Sequence, residues 1–350
     1  MTSTGTVSTT SLGGANPDSM TFPMKMVDKT ETLTYMRAVR LLQSTMIPLK
    51  RPALTEIAED GYVPMNPCVL PNKDGRTYLV VVRCTNYKMC ACGYYGTRTN
   101  KVGHIDTRNV MYVMDEETIY LEKEITDKTG EPFPCRDVND PRLVDGYEDM
   151  RIFWKGDELH YSAGSTCYHP PNLPNIVMGK IDTTTYDIVT RTHMYLDPMR
   201  CEKNWLPLVL GDSVYVVYNP FPLVMFELVN YPARDMALVV EKDMTKPDIR
   251  VRGGARPIRV GDYYLIVAHE TIMIQGRRNY VHRFVRYDSS FSNDGDISDP
   301  FFFFHQGIEF CTGMCLTHDS NDLLITLGVE DADAALVRVP VSYVMNTFFS

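Results

Sequence analysis

The sequence contains no run of about 18 apolar residues, so it offers no segment that reads as a membrane-spanning helix. Its first residues also lack the basic and apolar regions of a signal peptide, and a cytoplasmic location without a membrane partner is the expectation. No basic block is present either: 35 Lys and Arg are scattered among 44 Asp and Glu, and the net charge is −9. That balance lacks the electrostatic footprint of a nucleic-acid binder, so no nucleic-acid partner is expected. None of the nine cysteines forms the two-residue-gap pair of a zinc knuckle. Cys90 and Cys92 stand one residue apart with no second pair following, which excludes the usual structural zinc site and leaves no metal expected. An odd number of cysteines in mixed settings, such as Cys84, Cys135 and Cys311, reads as free thiols in a reducing compartment.

With 44% hydrophobic and 23% charged residues in 350, the chain can bury a substantial core in one large domain or two. Residues 1–25 are rich in Thr, Ser and Gly and are expected to form a flexible tail. Residues 26–60 read as an N-terminal extension with one helix, Glu31 to Leu42, in which Leu33, Met36, Val39 and Leu42 recur at spacings of three on one face. No other helix is convincing.

From residue 61 to 350 the pattern changes to short β-branched and aromatic runs that follow turn residues. Tyr78 to Arg83 follows Lys73-Asp74-Gly75, Val214 to Tyr218 follows Gly211-Asp212, and Tyr263 to His269 follows Gly261-Asp262. Arg151 to Trp154 after Glu148, and Leu323 to Leu327 after Ser320-Asn321-Asp322, complete the set. A recurrence of roughly 50 to 65 residues suits a repeat of four short strands, and the expected fold is all-β, a five-bladed β-propeller, with a six-bladed or split-sandwich arrangement as the alternative. The run Phe301 to Phe304, bounded by Pro300 and His305, reads as a buried strand between blades.

Propeller blades send their inner strands toward a central channel, so polar residues at blade starts from distant parts of the chain converge there. This chain offers Asn66-Pro67, Arg83, Asp140-Pro141-Arg142, Glu148-Asp149-Met150-Arg151, Glu202-Lys203-Asn204-Trp205, Arg252 to Pro257, His269-Glu270 and Gly328 to Asp331. Cations accompany carboxylates in nearly every segment, a mixture that suits an anionic ligand together with an acid.

Taken in order, NPCVLPNKDGRTYLVVVR, YEDMRIF, EKNWLPL, RGGARPIRVGDYYLIVAHE and IEFCTGMCLTHDSNDLLITLGVEDADAAL resemble the motifs of the mannoside phosphorylases of glycoside hydrolase family 130. The resemblance spans roughly residues 60 to 340 and implies a divergent member. Met150 replaces the family's proline, and Trp205 replaces its small residue after Lys-Asn.

The resemblance implies an inverting enzyme in which phosphate attacks the anomeric carbon of a β-mannoside, or the reverse synthesis. Such a site needs one acid for the departing oxygen and cations to hold phosphate, without the second carboxylate a hydrolase uses to activate water. Asp149 matches the family's catalytic acid. Arg151, Lys203 and His269, with Arg83 and Arg256, are the expected phosphate ligands, and Asn66, Asp331, Glu148 and Asn204 the expected substrate-binding residues. No cofactor is implied: inorganic phosphate or a sugar phosphate acts as co-substrate, carbohydrate is the partner, and a homo-oligomer is compatible with the sequence.

Structural roles stand beside these. Asp149 could pair with Arg151 on one strand face, Arg83 and Arg256 could bridge blades, His269 could be a core histidine, and Asn66 and Asp331 could cap turns. Two other functions share the same residues. A glycosyltransferase would hold the phosphate of an activated sugar donor on the cations and use Asp149 as a base, although Asp331-Ala332-Asp333 lacks the β-α-β surroundings of an ordinary nucleotide-sugar metal motif. A non-catalytic propeller would bind glycan or protein without turnover.

Overall fold

Runs such as Tyr78–Thr85 are apolar on both faces because both are covered. Leu79 and Val81 point into a core shared with Ile152 and Tyr161, while Val80 and Val82 point into one shared with Leu324 and Leu336. The same alternation repeats around the molecule, giving five cores, one between each pair of adjacent blades. The computed structural model describes residues 29–350 except 55–56, 59, 90–94, 98–104, 131–143, 167–173, 197–200, 244–248 and 275–276. The expected tail at 1–25, Cys90, Cys92, Cys135 and Asp140-Pro141-Arg142 lie outside the described residues.

The chain is a five-bladed β-propeller of antiparallel sheets. The innermost strands, in chain order, are Val63–Pro71, Glu148–Lys155, Leu206–Leu210, Arg252–Val260 and Glu309–Leu316. Each packs against the next, and the last returns to the first. Four of them carry register shifts at one end, between Met65 and Cys68, Glu148 and Arg151, Gly253 and Ala255, and Cys311 and Gly313. Such bulges turn side chains out of the ladder, here toward one mouth of the channel.

Four of the expected punctuated runs are second strands of their blades. Arg151 to Trp154 instead belongs to an innermost strand, and the second strand of that blade is Glu158–Ser165. The N-terminal helix covers Lys29–Arg37, shorter than the expected Glu31 to Leu42. Ala38 and Tyr35 pack against Ile272, Val281 and Phe302, and the chain is extended by Val39, whose strand pairs with Phe301–Phe302. The expected apolar face is therefore the outward one, with Leu33, Met36, Val39 and Leu42 exposed. A second helix, Val341–Phe348, was not foreseen and packs Val344 into the core between the last two blades. Phe301 and Phe303 are fully buried.

The expected boundary at residue 61 is crossed by the fold. Thr45–Pro48 pairs with Asp333–Pro340 as the outer strand of the last blade, so the stretch set apart as an extension completes a sheet built from the other end of the chain. Any loop leaving that strand unpaired would open the edge that ring closure removes.

Where the last inner strand meets the first, there is room for no side chain at Gly313. A Cβ there would lie 2.6 Å from the Val69 nitrogen and 2.8 Å from the Cys68 Cα. Gly313→Ala is expected to destabilise the protein by roughly 1–3 kcal/mol, because backbone must move to admit it. Urea unfolding of the variant checks this, and an unchanged midpoint would show that the ring is not closed by backbone contact at this position.

Candidate active site

The bulged ends of the inner strands surround a cavity of about 580 Å³. One wall is built on Arg83, whose guanidinium is buried. Its Nη1 donates to Asp149 Oδ1 at 2.7 Å, its Nη2 lies 3.3 Å from Glu148 Oε2 and also bonds the Tyr87 hydroxyl, and its Nε donates to Thr107 Oγ1 at 3.1 Å. Asn66 Nδ2 donates to the same Asp149 oxygen at 2.8 Å. Burial by itself would push the Asp149 carboxyl up, but the charges of Arg83 and Arg151 and the two hydrogen bonds hold it below the usual carboxylate range. Asp149 is thus an anion.

Asp331 faces the same cavity and behaves in the opposite way: burial raises its pKa, and the charge of Asp149 adds to the rise while Arg83 and Arg278 oppose it. The Gly-x-x-Asp spacing that brings Asp331 here has a steric cause. A Cβ on Gly328 would lie 2.2 Å from Asn66 Oδ1, so only glycine lets the last blade approach the first closely enough.

The opposite wall is knitted by Arg151. Its Nε donates to the Gly254 carbonyl at 3.0 Å, its Nη1 to the Asp149 carbonyl at 3.0 Å, and its Nη2 to Asn204 Oδ1 at 3.3 Å. Gly253 is pressed against the preceding blade, where a Cβ would lie 2.3 Å from the Asn204 carbonyl. That close approach sets Lys203 and Asn204 beside Arg252, which is paired in register with His269. Lys203 is solvent-exposed at the mouth.

His269 is buried, and its ring packs edge-on against Tyr280 and Phe310. Burial, then the charges of Arg151 and Arg252, push its pKa down to about 3. It is therefore a neutral imidazole, which corrects its expected place among the cations: it can exchange hydrogen bonds with an anion but brings no charge. Its Nδ1 is buried without a hydrogen-bond partner among the described residues.

Of the expected site residues, the cavity is lined by Asn66, Arg83, Glu148, Asp149, Lys203, Asn204, His269 and Asp331, with Arg151 bonded directly behind. Arg256 is not brought there. Although on the inner strand Arg252–Val260, it lies against the thiols of Cys68 and Cys315, away from the cavity lining, and burial lowers its pKa. The bulges between Gly253 and Ile258 break the alternation that would have aligned it with Arg252. Trp205 is also drawn away, into the core between two blades, with its Nε1 donating to Glu202 Oε2 at 3.1 Å. Met150 fills another core, which accounts for an apolar residue where the family has proline.

Tyr87, Cys201, Arg250, Thr271, Arg278, Tyr280 and Phe310 line the cavity without having been singled out. Arg278 and Tyr280 alternate along Arg277–Asp288, a strand whose charge pattern resembles any solvated edge. A different signal was available in the motif residues themselves. Asn66, Asp149, Asn204 and Asp331 all have left-handed backbones, with φ of 43°, 49°, 61° and 50°. Such conformations cost roughly 1–3 kcal/mol each outside glycine and gather where function over-determines the geometry.

Arg83→Met keeps much of the side-chain volume and removes the counter-charge of a buried carboxylate. A loss of roughly 3–5 kcal/mol at pH 7 is expected. Because the native Asp149 pKa lies below its unfolded value of about 3.9, its stabilisation is present above that pH and is lost as pH falls through the folded value. The gap between wild type and variant should therefore narrow from pH 7 toward pH 3. Urea midpoints across that range check it, and a gap independent of pH would mean that the guanidinium acts by packing alone.

No protein-family model matches the chain, and no curated protein sequence does. Solved structures do. The β-1,2-mannobiose phosphorylase from Listeria innocua, in complex with β-1,2-mannobiose, superposes with a TM-score of 0.55 at 13% identity, covering 87% of this chain and 96% of that one. MPT-4, a mannose phosphorylase from Leishmania mexicana in complex with a phosphate ion, gives 0.55 at 10% identity, covering 92% and 95%. MPT-1, a GDP-Man-dependent mannosyltransferase from Leishmania mexicana, gives 0.52 at 12% identity, covering 89% and 94%. What the chain has in common with all three at these identities is its fold, the five-bladed propeller, over nearly its whole described length.

Proposed function

We propose that this protein is a carbohydrate-active enzyme of the mannoside phosphorylase type, which transfers a glycosyl group between a sugar hydroxyl and phosphate with inversion. The observation that carries the reading is the division of one cavity into two walls. On one, carboxylates are held in fixed positions by Arg83 and Asn66; on the other, Lys203, Arg252 and Asn204 surround a neutral imidazole. The ordered motifs and the likeness in fold to mannose phosphorylases support the same assignment.

In phosphorolysis the sugar lies between the walls. Asn66 and Asp331 hold its hydroxyls, and phosphate rests on Lys203 and Asn204, with the charge of Arg151 behind Asn204 and with His269 donating to or accepting from it. A phosphate oxygen attacks the anomeric carbon as the bond to the leaving oxygen breaks, and Asp149 supplies the proton that oxygen needs, directly or through a sugar hydroxyl. An ionised Asp149 must first gain that proton. Phosphate brings negative charge next to Arg151, weakening the hold of that cation on the carboxylate and raising its pKa as the substrates assemble.

A glycosyltransferase is the second reading, favoured by the ionised state of Asp149, which is the state a base toward an acceptor hydroxyl requires. A glycan-binding propeller without turnover explains less, since four left-handed residues would be maintained around a cavity that needs only affinity.

Asp149→Asn is expected to lower turnover of mannose 1-phosphate with acceptor sugars at least about 10³-fold while the fold is retained, and Lys203→Ala chiefly to raise the phosphate concentration needed for half-maximal rate. Phosphate release from mannose 1-phosphate, run in parallel with GDP release from GDP-mannose, measures the first, and phosphorolysis of a β-mannoside at varied phosphate measures the second. Wild-type turnover of the nucleotide sugar alone would make the protein a transferase, and near-normal turnover by Asp149→Asn would remove that residue from the chemistry.

A further inference from the structure

Glu309 opens the inner strand of the fifth blade with a fully buried carboxylate. It accepts three successive backbone N–H groups, from Phe303 at 2.7 Å, Phe304 at 2.9 Å and His305 at 3.1 Å. The stretch before it, Phe303 to Ile308, is thereby wrapped as a strap around one side chain. Near the end of the strap the Gly307 carbonyl accepts the Tyr280 N–H at 2.8 Å, which fixes it to the fourth blade.

The strap in turn holds a hairpin. Between the strands Asp322–Val329 and Asp333–Pro340, Glu330 and Asp331 are consecutive left-handed residues, with φ of 51° and 50°. Neither is glycine, so each costs roughly 1–3 kcal/mol and persists only where its surroundings over-determine it. Glu330 supplies that hold. Its N–H donates to the Ile308 carbonyl at 2.7 Å, and its Oε1 accepts from the Ile308 N–H at 3.0 Å and from His305 Nε2 at 3.1 Å. A Cβ on Gly307 would overlap that oxygen, so glycine leaves the room for it. His305 Nδ1 lies 3.4 Å from Glu309 Oε1, and the imidazole therefore spans from the buried anchor of the strap to the hairpin.

The two left-handed residues point in different directions. Asp331 lines the cavity, while the side chain of Glu330 is half exposed and turned to the strap. Whatever fixes Glu330 also fixes the backbone that aims Asp331.

Resting on the reading that Asp331 holds a sugar hydroxyl, we propose that His305 and Glu330 are positioning residues for the sugar-binding side of the cavity. They act through the hairpin, and the phosphate wall, built on Lys203 and Asn204 of another blade junction, does not depend on them. The pair sets affinity for the glycosyl group and leaves affinity for the anion unchanged.

Titration calorimetry on the full-length protein tests this with mannose 1-phosphate and inorganic phosphate as probes. Asp331→Asn, His305→Ala and Glu330→Ala are each expected to weaken mannose 1-phosphate about tenfold and to change phosphate by less than about twofold. His305→Gln, which keeps a side-chain N–H donor of similar reach, is expected to stay within about threefold of wild type. Because His305 acts through Asp331, the double variant Asp331→Asn/His305→Ala is expected to bind no more weakly than Asp331→Asn alone. If Asp331→Asn weakens mannose 1-phosphate while His305→Ala and Glu330→Ala match wild type, the positioning role is overturned and the reading of Asp331 stands. Equal losses for both probes in His305→Ala, or losses that add in the double variant, also overturn it, since they mark general support of the fold. If Asp331→Asn itself changes nothing, the reading of Asp331 fails and the proposal fails with it. Glu330→Ala removes a half-exposed side chain and carries the same test should His305→Ala lose its native circular dichroism.

Discussion

Every blade of this molecule must be buried on both faces, and that single constraint organises the rest. A sheet with one wet face needs only alternate apolar residues; these sheets need nearly continuous ones, as in Leu79 to Val82, and they find partners only by arranging themselves in a ring. Once the ring exists, the inner strands are crowded at its centre. Crowding explains why Gly253, Gly313 and Gly328 face backbone or side-chain atoms of neighbouring blades at distances no Cβ tolerates. The same close approaches bring the two walls of the cavity together.

The cavity is therefore a consequence of packing as much as of chemistry. Residues at the bulged strand ends escape the ladder, adopt left-handed conformations and are re-aimed inward. Asp149 shows how such a position sets reactivity: its carboxylate belongs to one blade, Arg83 and Asn66 to another, and its charge state is decided by how closely the two blades sit. His269 shows the converse, an ordinarily titratable ring made neutral by burial and by two guanidiniums. Electrostatics here is a property of blade spacing.

The sheet architecture was legible in the sequence because turn residues followed by β-branched runs recur, and the period of a blade survives even where its residues do not. Asn66, Asp149, Lys203, Asn204 and Asp331 were legible as a set because ordered motifs place them at blade starts. Arg256 was misread because a bulge shifts the alternation after Gly253, and no one-dimensional pattern announces a bulge. Leu33, Met36, Val39 and Leu42 have helical spacing, yet Tyr35 and Ala38, the residue just after the helix, are what fit against the fourth blade. Arg250, Arg278 and Tyr280 were invisible because their significance comes from which blades stand opposite them.

The strand at Thr45–Pro48 is synthesised long before its partner at Asp333–Pro340, with four blades between them. Until the final hairpin emerges, the first segment has no sheet to join and the last interblade core has only one wall. A nascent chain must therefore carry an unpaired edge while the intervening blades are made, and closure is a single long-range event with a large loop entropy to overcome. Growth of the propeller is sequential, but its stability arrives at the end.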